Sequence, residues 1–445
     1  MTLEKVYPPF AQKIEENLKQ QLIKSLETKF SDTDQKYRTL ISFDDNAKRV
    51  AFVSKNQNIE IIKKFDIIPS ILTTLSKDQV LEASENSLIK RIEEDQRLYL
   101  SILEVSQIIG FNKDKISGNH LTGSNIKIGI IDDGINQSFE TIKESVVSKY
   151  QLYSNKHKPK NINEDQAINH GTLMAALMIN KSRDQQNRII GIAPEAKIID
   201  FDISNSNSEF FISEILEIFD LIIKKSILID LLLIPLNSLY PSDGNDILSL
   251  ACNLLVEKAI IIISPAGNFG PESYTIGTPA AAEKVITIGG LTKKKTVAYY
   301  SGRGPTLDNR IKPNFCIPGS KVAIPLSHDK IVSLSGTSVS AAIGTAIIAL
   351  LKEFKYDIDY KEILTILENG CHDLNYDPIS QGLGMINFAD IFKQLFDYPS
   401  RQKTLSYNQI IKKSMRISIE TLLMLIIIYY IINLFNIIRL ITHFI

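Results

Sequence analysis

The sequence is poor in cysteine. It has three in 445 residues, Cys252, Cys316 and Cys371, odd in number and far apart. A disulfide framework and a CxxC-type metal site are both excluded by that spacing, which leaves small buried hydrophobes. Neither sign of charge is in excess, with 50 Lys+Arg against 50 Asp+Glu. A surface that neutralises phosphates needs a basic surplus, so nucleic acid is not an expected partner. The first 25 residues lack the apolar run of about 7–15 residues that marks a secretory signal peptide. No internal repeat occurs, and the only low-complexity tract is an isoleucine-rich tail. What remains is an ordinary globular balance, 44% hydrophobic and 22% charged, in a chain long enough for several domains.

Composition and periodicity divide the chain into five parts. Residues 1–35 carry Phe10, Ile14, Leu18, Leu22 and Leu26 at four-residue spacing, which predicts a solvated amphipathic helix. Residues 36–100 alternate as strand (RTLISF), helix (AKRVAFVSKN), strand (IEIIKKF), strand (PSILTTLS), helix (KDQVLEASEN) and strand (LIKRIEEDQRLYL), the β-α-β-β-α-β order of a ferredoxin-like α+β domain. Over 101–395 the pattern becomes buried apolar strands, glycine turns and helices, as in IKIGII, AIIIIS and KVITIGG. That pattern predicts an α/β domain with a doubly wound parallel sheet covered on both faces. A polar and basic linker over 396–417 leads to a transmembrane helix expected over 418–440. Its centre, Thr421 to Ile438, is eighteen residues without a charge, close to the ~20 that cross a bilayer.

Four segments carry chemistry. Asp132 ends the strand KIGII before Asp133-Gly134, so its carboxylate is expected at the carboxyl edge of the sheet, where open α/β proteins place their sites. His170 opens Asn169-His170-Gly171-Thr172 and a small, apolar helix. Ser338 follows Gly336-Thr337 at the start of a helix poor in charge, where dipole and free amides favour developing negative charge. Asn268 follows Pro265-Ala266-Gly267 at a strand exit and presents an amide donor. Taken singly, these residues read equally well as helix caps and turns.

Together, in the order DDG, HGT, AGN and GTS, they resemble the subtilisin-like serine peptidases (peptidase S8). GIAPEAKI, TPAAAEKVITIGG, YYSGRGPT, KPNFCIPG and GLGMIN fall in the family's order as well. The resemblance implies a subtilisin-like catalytic domain with Asp132, His170 and Ser338 as triad and Asn268 as oxyanion donor. It also implies a substrate groove along Leu236 and Asn237, against Pro265 and Gly267. Residues 36–100 are similar to the family's inhibitory propeptide, which implies self-cleavage near Arg97 to Ile102. Protein or peptide substrates, the chain's own propeptide and a membrane are the implied partners. No metal or organic cofactor is required. Family members often bind structural calcium, but the Asn180 to Gly191 loop offers no ligand set. Asp133 is shared with the kexin-like branch, where it faces a basic substrate residue.

The sequence departs from the family in LIPLNSLY, where Pro235 removes a backbone donor from the strand that pairs with substrate and Asn237 stands in place of glycine. These two changes predict a narrowed groove. Ala341-Ala342-Ile343 replaces the usual Ala-Pro-His, and Leu173 and Ala176 also depart from the pattern. A catalytically silent peptide-binding relative and an acyl hydrolase acting on esters are the competing readings. Basic residues Arg401, Lys403, Lys412, Lys413 and Arg416 precede the expected span and Arg439 follows it, which favours a cytoplasmic domain. The export typical of propeptide-bearing members favours the opposite side.

Overall fold

The computed structural model describes residues 6–7, 36–57, 59–100, 103–104, 121–152, 168–182, 190–204, 209–327, 330–388 and 390–391. The linker and transmembrane helix expected over 396–440 lie outside the described residues, as does the N-terminal helix except for Val6–Tyr7. Those two residues are a strand rather than helix.

The N-terminal part is a small, mostly antiparallel sheet with two helices. Strands β1 (Val6–Tyr7), β2 (Lys36–Ser42), β3 (Ile61–Phe65), β4 (Ser70–Ser76) and β5 (Arg91–Glu94) form a sheet in the order β1-β5-β2-β4-β3. It is antiparallel except for the β1–β5 pair. Helix Asn46–Lys55 starts where the Asp45 carboxylate accepts the Lys48 N–H, and helix Lys77–Ser84 starts at a reciprocal Ser76/Gln79 capping box. Successive strand side chains point to opposite faces, and that alternation decides what each face meets. Ile41, Ile71, Leu75 and Ile92 pack on Phe52, Val80 and Ala83 of the two helices. Leu40, Phe65, Ile68 and Leu72 instead join one core with Ile215, Leu216, Phe219, Leu248 and Ala251. Those five belong to helices Ile212–Lys224 and Ile247–Glu257, so the second face of the sheet is completed by the next domain.

One expected strand is two. The stretch read as LIKRIEEDQRLYL breaks at Asp95-Gln96, and β6 (Arg97–Leu100) leaves the N-terminal sheet. Asp95 is buried and accepts from Ser213 N–H and Oγ–H at 2.8 and 2.7 Å and from Arg38 Nε at 2.9 Å, which turns the chain onto its neighbour. β7 (Leu103–Glu104) follows.

The larger domain contains β8 (Lys127–Asp132), β9 (Val146–Gln151), β10 (Lys197–Asp202), β11 (Phe210–Phe211), β12 (Leu231–Leu233), β13 (Leu236–Ser238), β14 (Ile261–Pro265), β15 (Ile286–Leu291), β16 (Phe315–Pro318), β17 (Val322–Ser327), β18 (Lys330–Ser335), β19 (Cys371–His372) and β20 (Met385–Ile386). Nine of them form a sheet in the order β19-β20-β16-β15-β14-β12-β8-β10-β9, parallel except for β19–β20. The apolar runs alternate faces. Ile131, Phe201, Leu232 and Ile262 enter the core under Ile212–Lys224 and Ile247–Glu257, while Ile128, Ile130, Leu231 and Ile263 are equally buried outside that cluster. Helix Thr337–Phe354 packs on β12, β14, β15 and β16, and helix His170–Ile179 on β8. Among the described residues, Thr337–Phe354 is the one helix long and apolar enough to cross a membrane, and it is 89% buried as the central core helix. Cys252 and Cys316 are buried as expected, and Cys371 is partly so.

Candidate active site

β14, β12 and β8 are adjacent parallel strands, and their carboxyl ends deliver three parts of the site. β8 ends in Asp132, β12 runs through Pro235 into β13, and β14 ends at Pro265 just before Asn268. Asp132 is buried and uses both oxygens: Oδ1 accepts the Asp133 N–H at 2.8 Å and Oδ2 lies 2.7 Å from His170 Nδ1. His170 Nε2 lies 3.1 Å from Ser338 Oγ. Burial depresses the His170 imidazolium, but the Asp132 carboxylate and, less strongly, Asp133 outweigh it and hold its pKa above the ordinary value.

Two glycines permit this approach. A Cβ on Gly171 would stand 2.7 Å from the Gly134 carbonyl and 3.1 Å from Asp132 Cβ, so only glycine lets the His170 helix start against β8. Gly134 has φ +89°, and a Cβ there would meet the Asp202 carboxylate at 2.8 Å.

Ser338 is fully buried in the first turn of its helix. Thr337 beside it fixes the Asn268 carboxamide: Oδ1 accepts the Thr337 N–H at 3.0 Å and the Thr337 hydroxyl at 2.8 Å. Asn268 Nδ2 is thereby left buried without a partner among the described residues. A buried unpaired donor on a carboxamide held by the residue before the serine is an arrangement suited to an oxyanion that exists only during reaction. Sequence reasoning missed Thr337, although it stood in the GTS motif itself.

The family model of the subtilases matches residues 123–384. The chain belongs to the subtilase family. It is a serine-type peptidase. It is 24% identical over 408 residues to serine protease AprX of Bacillus subtilis (strain 168), across 82% of this chain and 90% of that protein. Subtilisin DY of Bacillus licheniformis is 26% identical over 276 residues, across 62% of this chain and 93% of its own. Among solved structures, fervidolysin from Fervidobacterium pennivorans, a keratinolytic enzyme related to subtilisin, shares the fold with a TM-score of 0.63 at 16% identity. That match covers 81% of this chain and 61% of the fervidolysin chain.

In this subtilase the Asp133 carboxylate binds the start of the histidine helix. Its Oδ2 accepts the His170 N–H at 3.0 Å and its Oδ1 the Gly171 N–H at 2.8 Å, while its carbonyl accepts from Asn169 Nδ2 at 3.0 Å. Asn169 itself makes no side-chain cap. Asp133 is the cap of the histidine helix, and both oxygens are committed to orphan amides. Burial and then the Asp132 charge push it up to about 7.

The groove residues fall where two segments meet. Leu236 and Asn237 are buried on β13, and Asn237 Nδ2 donates to the Pro265 carbonyl at 3.0 Å. Gly267, at φ +91°, lies beyond: a Cβ there would be 3.8 Å from Asn237 Cβ. Leu173 and Ala176 are buried in the histidine helix, and Ala341-Ala342-Ile343 continue the serine helix without a break. Among the described residues no group of three or more His, Cys, Asp or Glu is placed to hold a metal ion, and residues 183–189 of the loop after Asn180 lie outside them.

Sequence reasoning also missed two acids of the N-terminal sheet that cap helices of the catalytic domain. Glu93 accepts the Ile247 N–H at 3.1 and 3.2 Å, at the start of Ile247–Glu257. Asp95 caps Ile212–Lys224 through Ser213. In return the Asp220 carboxylate accepts the Asp66 and Ile67 N–H groups. Burial is the main reason the Glu93 carboxyl is pushed up to about 8, against the opposing pull of Arg91. The consecutive acids Glu93, Glu94 and Asp95 on a strand were the available signal.

Proposed function

We propose that the protein is an endopeptidase that cleaves itself free of its N-terminal domain and is tethered to a membrane by its C-terminal segment. In the peptidase step, Ser338 Oγ attacks the scissile carbonyl while His170 Nε2, 3.1 Å away, takes its proton. Asp132 holds the imidazole in the tautomer with the proton on Nδ1 and stabilises the imidazolium. Asn268 Nδ2 and the Ser338 N–H donate to the oxyanion. The imidazolium then protonates the leaving amine, and water, deprotonated by His170, releases the acyl group from Ser338. No step requires a metal or organic cofactor.

The observation that carries the self-cleavage reading is the course of β6 and β7. β6 is the middle strand of an antiparallel sheet, with Leu98 opposite Phe210 and Leu100 opposite Leu236, as an extended peptide adds to a sheet edge. β7 pairs with β18, Leu103 opposite Ser335, three residues before Ser338. β6 ends at Leu100 and β7 begins at Leu103, so we assign the processed bond to the short stretch between the two ladders. Support for an inhibitory, ferredoxin-like propeptide comes from the order β5-β2-β4-β3, from both helices packing on one face, and from the two acids that cap catalytic helices.

The uncharged stretch from Thr421 to Ile438 supports the membrane tether. Mass spectrometry of full-length protein beside Ser338→Ala tests the processing: wild type should lose about its first 100 residues and the variant should stay whole. An intact wild type that carries a folded N-terminal domain refutes it. Deleting 418–440 should move the protein from the membrane to the soluble fraction, and protease treatment of sealed vesicles reads the side it faces.

A further inference from the structure

A buried charged cluster stands on the strand next to the catalytic aspartate. β10 lies between β8 and β9, and buried parallel strands of this kind are normally apolar runs. β10 instead carries Asp200 and Asp202, each 1% exposed. The register puts Asp202 opposite Asp132 on one side and Gln151 on the other, and Asp200 opposite Ile130 and Lys149. Cross-strand partners share a face, so these groups lie on the face of the sheet that bears Asp132. Lys149 Nζ reaches both acids, 3.3 Å from Asp200 Oδ2 and 3.1 Å from Asp202 Oδ2, and Gln151 Nε2 donates to Asp202 Oδ2 at 3.1 Å.

Desolvating two carboxylates is costly, and a pair of apolar side chains would spare the sheet that cost. What apolar side chains could not supply is an acceptor for the turn that follows Asp132. Asp200 Oδ2 accepts the Ile135 N–H at 3.1 Å, and Gly134 sits so close to the Asp202 carboxylate that a Cβ would meet it at 2.8 Å. Asp200 Oδ1 has no partner among the described residues, so the acid's hydrogen bonding is directed to the turn and to Lys149. The same turn holds the histidine helix: Asp133 accepts the His170 and Gly171 N–H groups, and the Asn136 N–H donates to Thr172 Oγ1 at 2.8 Å. One short segment thus links Asp132 to the start of the His170 helix, and Asp200 fastens that segment to β10. Burial pushes the Asp200 carboxyl up to about 6 against the pull of Lys149, so it is ionised at the pH where His170 is a neutral base. We propose that Asp200, clamped by Lys149, is a positioning residue for the reaction: it seats the turn 133–135 and so keeps Asp132 in line with His170.

This proposal rests on the triad reading, and the experiment separates the two. Detergent-solubilised full-length protein is titrated with a fluorophosphonate to count active sites. Values of kcat and KM on a peptide ester, referred to the titrated sites, are then measured for wild type, Asp200→Val and Asp200→Asn, beside urea unfolding of each. Asp200→Val removes the acceptor at nearly equal volume, and kcat per site should fall about tenfold or more while KM stays within about twofold of wild type. Asp200→Asn keeps an oxygen for the Ile135 N–H and should recover most of that loss. Should Asp200→Val fail to fold, Asp200→Val/Lys149→Met, which leaves no cation without its partner, takes its place with the same expected loss. A role in stability alone would lower the urea midpoint and leave the surviving sites as fast as before. A valine variant that keeps kcat per site within about threefold of wild type therefore overturns the proposal. So does an Asp200→Asn enzyme no faster than the valine variant. A wild type that takes up no probe overturns the triad reading, and this proposal with it.

Discussion

Asn268 offers a test in which catalysis and stability separate. Its Oδ1 holds two donors of Thr337, at 3.0 and 2.8 Å, and its Nδ2 is spare. Asn268→Ala removes both functions. Loss of one oxyanion donor costs about 10²- to 10³-fold in kcat, or about 2.7–4 kcal/mol, in the subtilisin from which that figure comes. Leaving the buried Thr337 donors without an acceptor adds a stability loss of about 1–3 kcal/mol. Asn268→Asp keeps the acceptor for Thr337 and replaces the donor by an oxygen. It should therefore lose at least as much kcat as the alanine variant while its denaturation midpoint stays nearer to wild type. The assay is kcat and KM on a peptide ester, normalised to sites titrated with fluorophosphonate, beside urea unfolding of each variant on a Ser338→Ala background. KM should move little, because the interaction forms only as the oxyanion develops. An Asn268→Asp enzyme within about threefold of wild type in kcat would refute the assignment of Nδ2 to the oxyanion.

Two further predictions concern pH. The Asp132 and Asp133 charges raise the His170 pKa against the opposing effect of burial, and a general base must be neutral. The acid limb of kcat/KM should accordingly lie above the ordinary histidine value of about 6.5 and move down in Asp132→Asn, together with a large loss of rate; a limb that stays in place means Asp132 does not set it. Glu93 has its carboxyl raised from 4.5 to about 8 by burial in the docked N-terminal domain. Its contribution to stability is full below the unfolded pKa and is lost as pH climbs through the folded one. The unprocessed Ser338→Ala chain should then unfold at progressively lower urea between pH 5 and 8, and Glu93→Gln should flatten that slope; equal slopes in both chains refute the role of Glu93.

The sequence was most legible where the chemistry is local. Strand runs such as KIGIID, the capped helices after Asp45 and Ser76, and the order of DDG, HGT, AGN and GTS are written in consecutive residues. Each depends on periodicity, capping or turn propensity that needs no distant partner. From these the parallel sheet, the small antiparallel sheet and the candidates Asp132, His170, Ser338 and Asn268 could be read before any contact was known. The length of LIKRIEEDQRLYL could not. Its break at Asp95 comes from Ser213, 118 residues away, whose N–H and hydroxyl bind that carboxylate.

Asp133 shows the same limit. Beside Asp132 in sequence it resembled a substrate-facing acid, yet its oxygens bind the amides of His170 and Gly171, and only the docking of that helix on β8 determines this. Asn237 was visible as a departure from glycine, but its reach to Pro265 depends on two strands meeting at one edge. Residue type and spacing thus determined the α/β class and the motifs through which the chain resembles the subtilases, because those are written in local pattern. The partner each buried polar atom finds was decided by the tertiary structure, because desolvated carboxylates and carboxamides bind whatever the packing brings within about 3 Å.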